Sequence, residues 1–156
     1  MTNNTENKVG SSVMTQVGII VHDIEAKAAA WAALFGMPVP EIRLTDGYEI
    51  THAEYEGKPT SAQAKLAFFH FDNIDVELIE PVGGPSTWKD QLDQHGDSIH
   101  HIAFKIGTVP EMEEKLPAIE AAGLRLVQRG NWAPDGRYLY VDGIAKLGAV
   151  LELLPK

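Results

Sequence analysis

The apolar positions of this chain fall into two rhythms that follow one another twice. Gln16-Val17-Gly18-Ile19-Ile20-Val21 is a short β-branched run, and His22-Asp23-Ile24-Glu25 leads from it into an alanine-rich stretch ending at Gly36. His101-Ile102-Ala103-Phe104-Lys105-Ile106 is a second such run, and Gly107-Thr108 leads from it into a stretch ending at Gly123. In the first stretch Ile24, Ala28, Trp31 and Phe35 sit at helical spacing and define one apolar face. Asp23 suits the N-cap, where a side-chain oxygen accepts an otherwise orphaned N–H, and Gly36 suits the left-handed stop. Met112, Leu116 and Ile119 repeat the spacing in the second stretch, with Thr108 and Glu111 placed for a capping box. Pro117 falls inside that helix and is expected to kink or shorten it.

The two halves also close alike, with Val76-Glu77-Leu78-Ile79-Glu80-Pro81 and with Leu151-Glu152-Leu153-Leu154-Pro155. Strand-like runs fill the space between helix and closing strand. The first half has them at 42–44, near 48–55 and at 65–71, followed by an Asp72-Asn73 turn; the second has them at 124–128 and 138–141, followed by a turn at Asp142-Gly143. Gly83-Gly84-Pro85 separates the halves, and Ser86 caps a short helix that stops at Gly96. The expected fold is therefore α+β: two tandem βαβββ modules forming one curved mixed sheet around a cavity. Residues 1–13 read as a disordered tail, 14–82 as the first module, 83–98 as a linker helix and 99–156 as the second module, all within one compact domain. The first half is longer, and its extra residues fall around 46–64.

Side chains alternate across a strand, so the pattern also sorts polar residues by face. Val17, Ile19 and Val21 share one face, as do Ile102, Phe104 and Ile106, and these faces should meet the helices. Gln16 and His101 then lie on the opposite face, with the small neighbours Gly18 and Ala103. Glu77 and Glu152 point away from Val76/Leu78 and Leu151/Leu153. A carboxylate amid so apolar a strand is costly unless it is paired or bound to a metal, and here it occurs at matched positions of both halves.

Composition narrows the chemistry. The chain has 156 residues, 44% hydrophobic and 22% charged, as expected of a globular protein. Its net charge of −9 argues against nucleic acid and against an anionic membrane surface as partners. It has no cysteine, so thiolate metal sites and thiol nucleophiles are excluded. No stretch has the length of a membrane span or a signal sequence, which points to a cytoplasmic protein.

The paired halves, the strand ends ELIEP and LELLP, and the run His100-His101-Ile102-Ala103-Phe104 resemble the vicinal-oxygen-chelate (glyoxalase/bleomycin-resistance/dioxygenase) superfamily. Residues 76–104 look most like methylmalonyl-CoA epimerases; the stretch from Gly136-Arg137-Tyr138 to Leu154 looks more like lactoylglutathione-lyase-like proteins. The resemblance implies one divalent metal ion held by Gln16, Glu77, His101 and Glu152, with Gln16 standing where the family usually has a histidine. One imidazole, one amide oxygen and two carboxylates suit Co, Ni, Mn, Zn or Mg. The activity implied is proton transfer next to a carbonyl, as in an epimerase or a glyoxalase-type lyase, with Glu152 or Glu77 as the catalytic base.

The substrate implied is a small carbonyl compound or thioester, although the sequence shows no phosphate loop or basic cluster to hold a thioester's phosphates. The alternative is a non-enzymatic protein of the same superfamily that sequesters a small molecule. Extradiol dioxygenase chemistry fits less well, because Gln16 removes one histidine. In this superfamily the halves close a site within one chain or across a homodimer, and both arrangements remain open. His22, His52, His70 and His95 read as structural or surface residues, Trp31 as core, and Tyr138, Tyr140 and Arg137 as alternating strand residues with one face toward a substrate.

Overall fold

Local signals place the helices where the pattern puts them. In the computed structural model, which describes residues 9–156, Asp23 accepts the Ala26 N–H at 3.0 Å and starts α1 (Ile24–Phe35). Gly36 ends this helix with φ 63°, a left-handed conformation that costs a residue without Cβ little. The buried face of α1 is Ile24, Ala28 and Ala32. Phe35, expected on that face, is instead 49% exposed and stacks on Trp31 with ring centroids 5.4 Å apart. The small Ala32 lets the helix approach the sheet, and the bulky ring is left at the flank.

Strand β1 (Met14–Ile20) precedes α1, and β2 (Arg43–Leu44) follows it. The run near 48–55, expected as a strand, is largely not one. It forms a single turn α2 (Tyr48–Thr51), followed by a small hairpin of β3 (Glu54–Tyr55) and β4 (Lys58–Pro59). Strands β5 (Gln63–His70) and β6 (Asp75–Val82) complete the first half, and Ser86 caps α3 (Thr87–His95) through the Lys89 N–H at 3.0 Å.

The second half repeats the order with β7 (Ser98–Lys105), α4 (Val109–Ala121), β8 (Arg125–Ala133), β9 (Gly136–Gly143), a single turn α5 (Ile144–Leu147) and β10 (Ala149–Leu154). The Thr108/Glu111 capping box is present. Pro117 does not end α4, which continues to Ala121, so the expectation of a shortened helix fails. A proline removes one backbone donor, but Met112 and Ile119 remain buried and hold the last turn against the sheet.

All strands join one mixed sheet in the order β2-β5-β6-β1-β7-β10-β9-β8-β3-β4, which curls into a half-barrel. The two modules meet where β1 pairs antiparallel with β7. In each module the opening strand pairs parallel with the closing one, β1 with β6 and β7 with β10. The outer face of the first module packs Val21, Leu78 and Phe69 under α1, and that of the second packs Leu139, Val141 and Leu153 under Met112 and Ile119 of α4. The inner face shares a third cluster, in which Trp88 of α3 meets Ile20, Ile79, Tyr140 and Val150.

Two features depart from a tandem arrangement. The extra segment of the first half crosses to the second, where Glu54 and Tyr55 of β3 pair with Arg129 and Gln128 of β8. Of the segment expected as a tail, residues 1–8 lie outside the described residues, while the following residues dock on the second module. Ser11 donates to the Lys105 carbonyl at 2.5 Å, and Val9 packs on the α4 core.

Ser86 is 1% exposed and fixes the entry of α3 into the inner face. Ser86→Ala is expected to cost about 1 kcal/mol and to lower the thermal midpoint by about 2–4 °C. An unchanged midpoint in a thermal melt would show that the cap contributes nothing.

Candidate metal centre

The centre grows out of strand register. Gly18 of β1 lies opposite both Glu77 of β6 and His101 of β7, and Ala103 of β7 lies opposite Glu152 of β10. These small residues leave the space that the long polar side chains occupy. A Cβ on Gly18 would overlap the His101 imidazole, so glycine is required where the ring crosses β1.

All four candidate residues meet on the inner face, and all four are buried: Gln16, Glu77, His101 and Glu152. Atoms of Glu77, His101 and Glu152 lie within 4.8 Å of one another, close enough to share one ion. His101 Nε2 is 3.0 Å from Glu152 Oε2 and 3.6 Å from Glu77 Oε2. Gln16 donates through Nε2 to Glu77, and the same nitrogen is 3.4 Å from His101 Nε2. All of these residues belong to one chain, so the centre is complete without a partner subunit. His22, His52, His70 and His95 are exposed and stand apart from it.

The electrostatics of the group are unfavourable without a cation. Burial raises the Glu77 carboxyl well above its ordinary value and the Glu152 carboxylate adds to the shift, while the Gln16 N–H works against both. The close approach of His101 to Glu152 lacks hydrogen-bond geometry, so Glu152 Oε2 is buried with no hydrogen-bond partner among the described residues. An imidazole nitrogen, an orphaned carboxylate oxygen and a second carboxylate converging on one point are the donor set of a divalent-ion site. The residues present therefore fit a metal. Turning the Gln16 amide about its last bond would present its oxygen to the same point, and that orientation is set by whichever neighbour the amide serves.

His100, which is not one of the four candidate residues, is also buried, 5% exposed, beside His101 at 1%. The cause is a β-bulge: Gly18 pairs with His101 and Ile19 with Ile99, so His100 is the extra residue. A bulge re-aims a side chain that alternation would send to the other face. His100 Nδ1 lies 2.9 Å from His101 Nδ1, and His100 Nε2 lies 3.1 Å from Thr87 Oγ1. Thr87 donates on to Gln128 Oε1 at 3.1 Å. Only one assignment puts a hydrogen in every contact, with His101 carrying it on Nδ1. That leaves His101 Nε2 as a lone pair facing the two carboxylates. Burial, together with the facing His101, holds His100 down at about 3, which keeps its own second nitrogen an acceptor.

Above the centre opens a cavity of about 430 Å³. Gln16, Glu77 and Glu152 line its floor, and Phe68, Trp88, Trp132, Tyr138 and Tyr140 supply much of its wall. Tyr138 and Tyr140 face inward as their spacing on β9 requires, while Arg137 points outward to Glu113 and Asn131. The crossing segment contributes Asp46, Thr51 and Ala53 to the wall, a placement that residue spacing does not reveal.

Comparisons with known proteins agree with this geometry. The family profile described as Glyoxalase/Bleomycin resistance protein/Dioxygenase superfamily matches residues 15–140. A sequence search of the curated proteins finds no match. Among solved structures, methylmalonyl-CoA epimerase from Mycobacterium tuberculosis superposes with a TM-score of 0.60 at 18% identity, covering 94% of this chain and 89% of that one. A Streptomyces coelicolor methylmalonyl-CoA epimerase variant in complex with 2-nitronate-propionyl-CoA gives 0.64 at 19%, covering 94% and 99%. A hypothetical protein from Bacillus halodurans gives 0.64 at 18%, covering 92% and 93%. At these identities the superpositions speak for the fold, while the profile covers most of the sequence. The chain belongs to the glyoxalase/bleomycin resistance protein/dioxygenase superfamily, and it carries a buried His–Glu–Glu group close enough to share one metal ion.

Proposed function

We propose that the protein is a divalent-metal enzyme that moves a proton on the carbon next to a carbonyl, as an epimerase or a glyoxalase-type lyase does. The observation that carries this reading is the buried Glu77–His101–Glu152 group, with its unpartnered Glu152 oxygen, beside a cavity that Glu77 and Glu152 line. Glu77, His101 and Glu152 would hold the ion, with Gln16 as a fourth ligand through its amide oxygen. When bound, a divalent ion such as Co, Ni, Mn, Zn or Mg supplies positive charge that stabilises an enolate oxygen.

The chain's own residues do the rest. Glu152 would hold the ion through one carboxylate oxygen and take the proton with the other, since the residue lines the cavity. Glu77, held by Gln16, serves as the alternative base on the neighbouring strand. For an epimerase, the proton then returns to the opposite face of the same carbon; for a lyase, it goes to the adjacent carbon. His100 and Thr87 keep the His101 ring in its orientation.

The substrate is a small carbonyl or thioester compound, and the methylmalonyl-CoA epimerases of like fold make that thioester the first to try. No described helix is long and apolar enough to cross a membrane, and a cytoplasmic location suits a cysteine-free chain of this charge. A homodimer remains compatible, although the centre does not need one. A second reading, sequestration of a small molecule without turnover, draws on the largely aromatic cavity wall.

Protein purified without added metal is expected to hold about one divalent ion per chain by elemental analysis. His101→Ala, Glu152→Ala and Gly18→Ala should each lower that affinity by about tenfold or more. Full-length protein that takes up no divalent ion and shows no thermal shift with any would favour the sequestering reading.

The shifted carboxyl predicts the pH dependence. Glu77 has a folded-state pKa raised above its ordinary 4.5, so it stabilises the metal-free protein below that pH and the contribution is lost as pH rises. His100 is depressed from 6.5 to about 3, so its contribution is present above 6.5 and lost as pH falls toward about 3. A metal must displace the Glu77 proton. The rise in thermal midpoint on adding Zn²⁺ should therefore be larger at about pH 8 than at about pH 5; an equal or reversed difference would contradict it.

For the reaction itself, metal-loaded protein in deuterated solvent should wash deuterium into methylmalonyl-CoA if the epimerase branch holds. No exchange there, with isomerisation of a thiol–aldehyde adduct instead, would select the lyase branch.

A further inference from the structure

We propose that the phenols of Tyr138 and Tyr140 form a paired hydrogen-donor site that takes one oxygen of the substrate, with Gln128 and Trp88 fixing the direction of both donors. This rests on the proton-transfer reading above and deepens it, because it names a second anchoring point and the class of ligand that fits.

The two tyrosines stand two residues apart on β9 and both line the cavity. Their ring centroids are 4.9 Å apart. Tyr140 is the register partner of Glu152, and its ring centroid is 5.0 Å from that of His101. The pair therefore stands beside the candidate metal centre. Gly130, opposite Tyr138, makes room for it, since a Cβ there would come within 2.9 Å of the Tyr138 ring.

Both phenol oxygens are forced to accept. The Trp88 indole N–H can only donate, and it donates to the Tyr140 oxygen at 3.0 Å. The Gln128 amide has no freedom to flip, because its Oε1 receives the Thr87 backbone N–H at 2.8 Å. Its Nε2 must then face Tyr138, and it donates to that phenol at 3.1 Å. Neither phenol donates to another of the described residues. Each phenol hydrogen is thus left for something in the cavity. Tyr140 is 2% exposed, so a hydrogen without an acceptor there is a deficit that a ligand oxygen would remove. Burial, with the facing carboxylates, pushes both phenols up from their ordinary 10.0, so both keep their hydrogens at neutral pH.

Two neighbouring phenol donors, each with its oxygen already accepting, suit a carbonyl that gains negative charge, or an oxyanion already carrying it. The rest of the cavity restricts the body of that ligand. Among the described residues Arg43 is the one cation in the lining, and its guanidinium is 76% exposed and engaged by Glu41 at 2.7 Å. Leu44, Leu66, Phe68 and Trp132 supply apolar surface. The ligand class is a compact carbonyl or oxyanion with an apolar or aromatic body, bound without phosphate contacts.

The probe is 4-nitrophenolate, a compact aromatic oxyanion, titrated by visible absorbance into full-length protein that is either stripped with EDTA or loaded with Zn²⁺. The wild type should bind it saturably. Tyr138→Phe and Tyr140→Phe should each weaken binding about tenfold in both preparations. Gln128→Glu should weaken it as much as Tyr138→Phe although the phenol remains, because the new carboxylate would take the Tyr138 hydrogen. Circular dichroism melts confirm that each variant is folded, and the two phenylalanine variants decide the matter if the glutamate variant is not. No saturable binding by the wild type, or affinity within about twofold of wild type in either phenylalanine variant, overturns the proposal. Failure to retain Zn²⁺ would count against the metal reading alone, since the EDTA-stripped titration still decides this one.

Discussion

Two carboxylates and an imidazole share a volume from which water is nearly excluded, and most other features near the centre serve to make that arrangement tolerable. Removing an ion from water costs on the order of several kcal/mol, whereas one hydrogen bond returns about 1 kcal/mol. Gln16 gives Glu77 one N–H, which is too little to offset the burial. Glu152 Oε2 receives none. The deficit is met by keeping a proton on Glu77, which its raised pKa describes, or by a cation. The sheet spends its small residues here: Gly18 and Ala103 are the strand positions that let long polar side chains lie flat between neighbours.

A fold of two similar modules supplies such a centre economically, because each module contributes one residue of its opening strand and one of its closing strand. The β1–β7 pairing brings the two sets together along an antiparallel seam. The strongest departures from that two-fold arrangement are functional in position. The segment between β2 and β5 crosses over to β8 and walls the cavity, and α3 plugs the inner face with Trp88. Trp88 then does two things at once, filling the shared core and orienting the Tyr140 phenol. Thr87 likewise links the His100 side of the centre to Gln128 and so to Tyr138. The N-terminal turn of one short helix therefore couples the His101 imidazole to the phenol wall through hydrogen-bonded side chains.

What makes this network rigid is that its directions are fixed by groups with only one option. An indole N–H and a backbone N–H can donate and never accept, so they determine the orientation of everything beyond them. Buried polar chains of this kind specify a single arrangement when every member has its hydrogen, and they are costly when one does not. Tyr138 and Tyr140 are the two places where a hydrogen is left over; both line the cavity, and Tyr140 also packs in the inner-face core.

The sequence by itself determined what depends on neighbours a few residues away. Asp23, Ser86 and the Thr108/Glu111 pair cap the helices they precede. Strand alternation sorted Gln16, Glu77, His101 and Glu152 onto one face, and the repeat matched the halves, so the candidate centre was legible before any coordinates. Local propensity misled at 48–55, where strand-like residues form a helical turn and a small hairpin, and at Pro117, which α4 accommodates. Tertiary structure decided what depends on register. A single extra residue in β7 turns His100 inward beside His101, and no alternation rule can reveal it, since the bulge exists only relative to β1. The partnership of Gln128 with Thr87, and the crossing of β3 to β8, bring together residues far apart in the chain. Their contacts follow from how the sheet curls, and sequence spacing carries no record of that curvature.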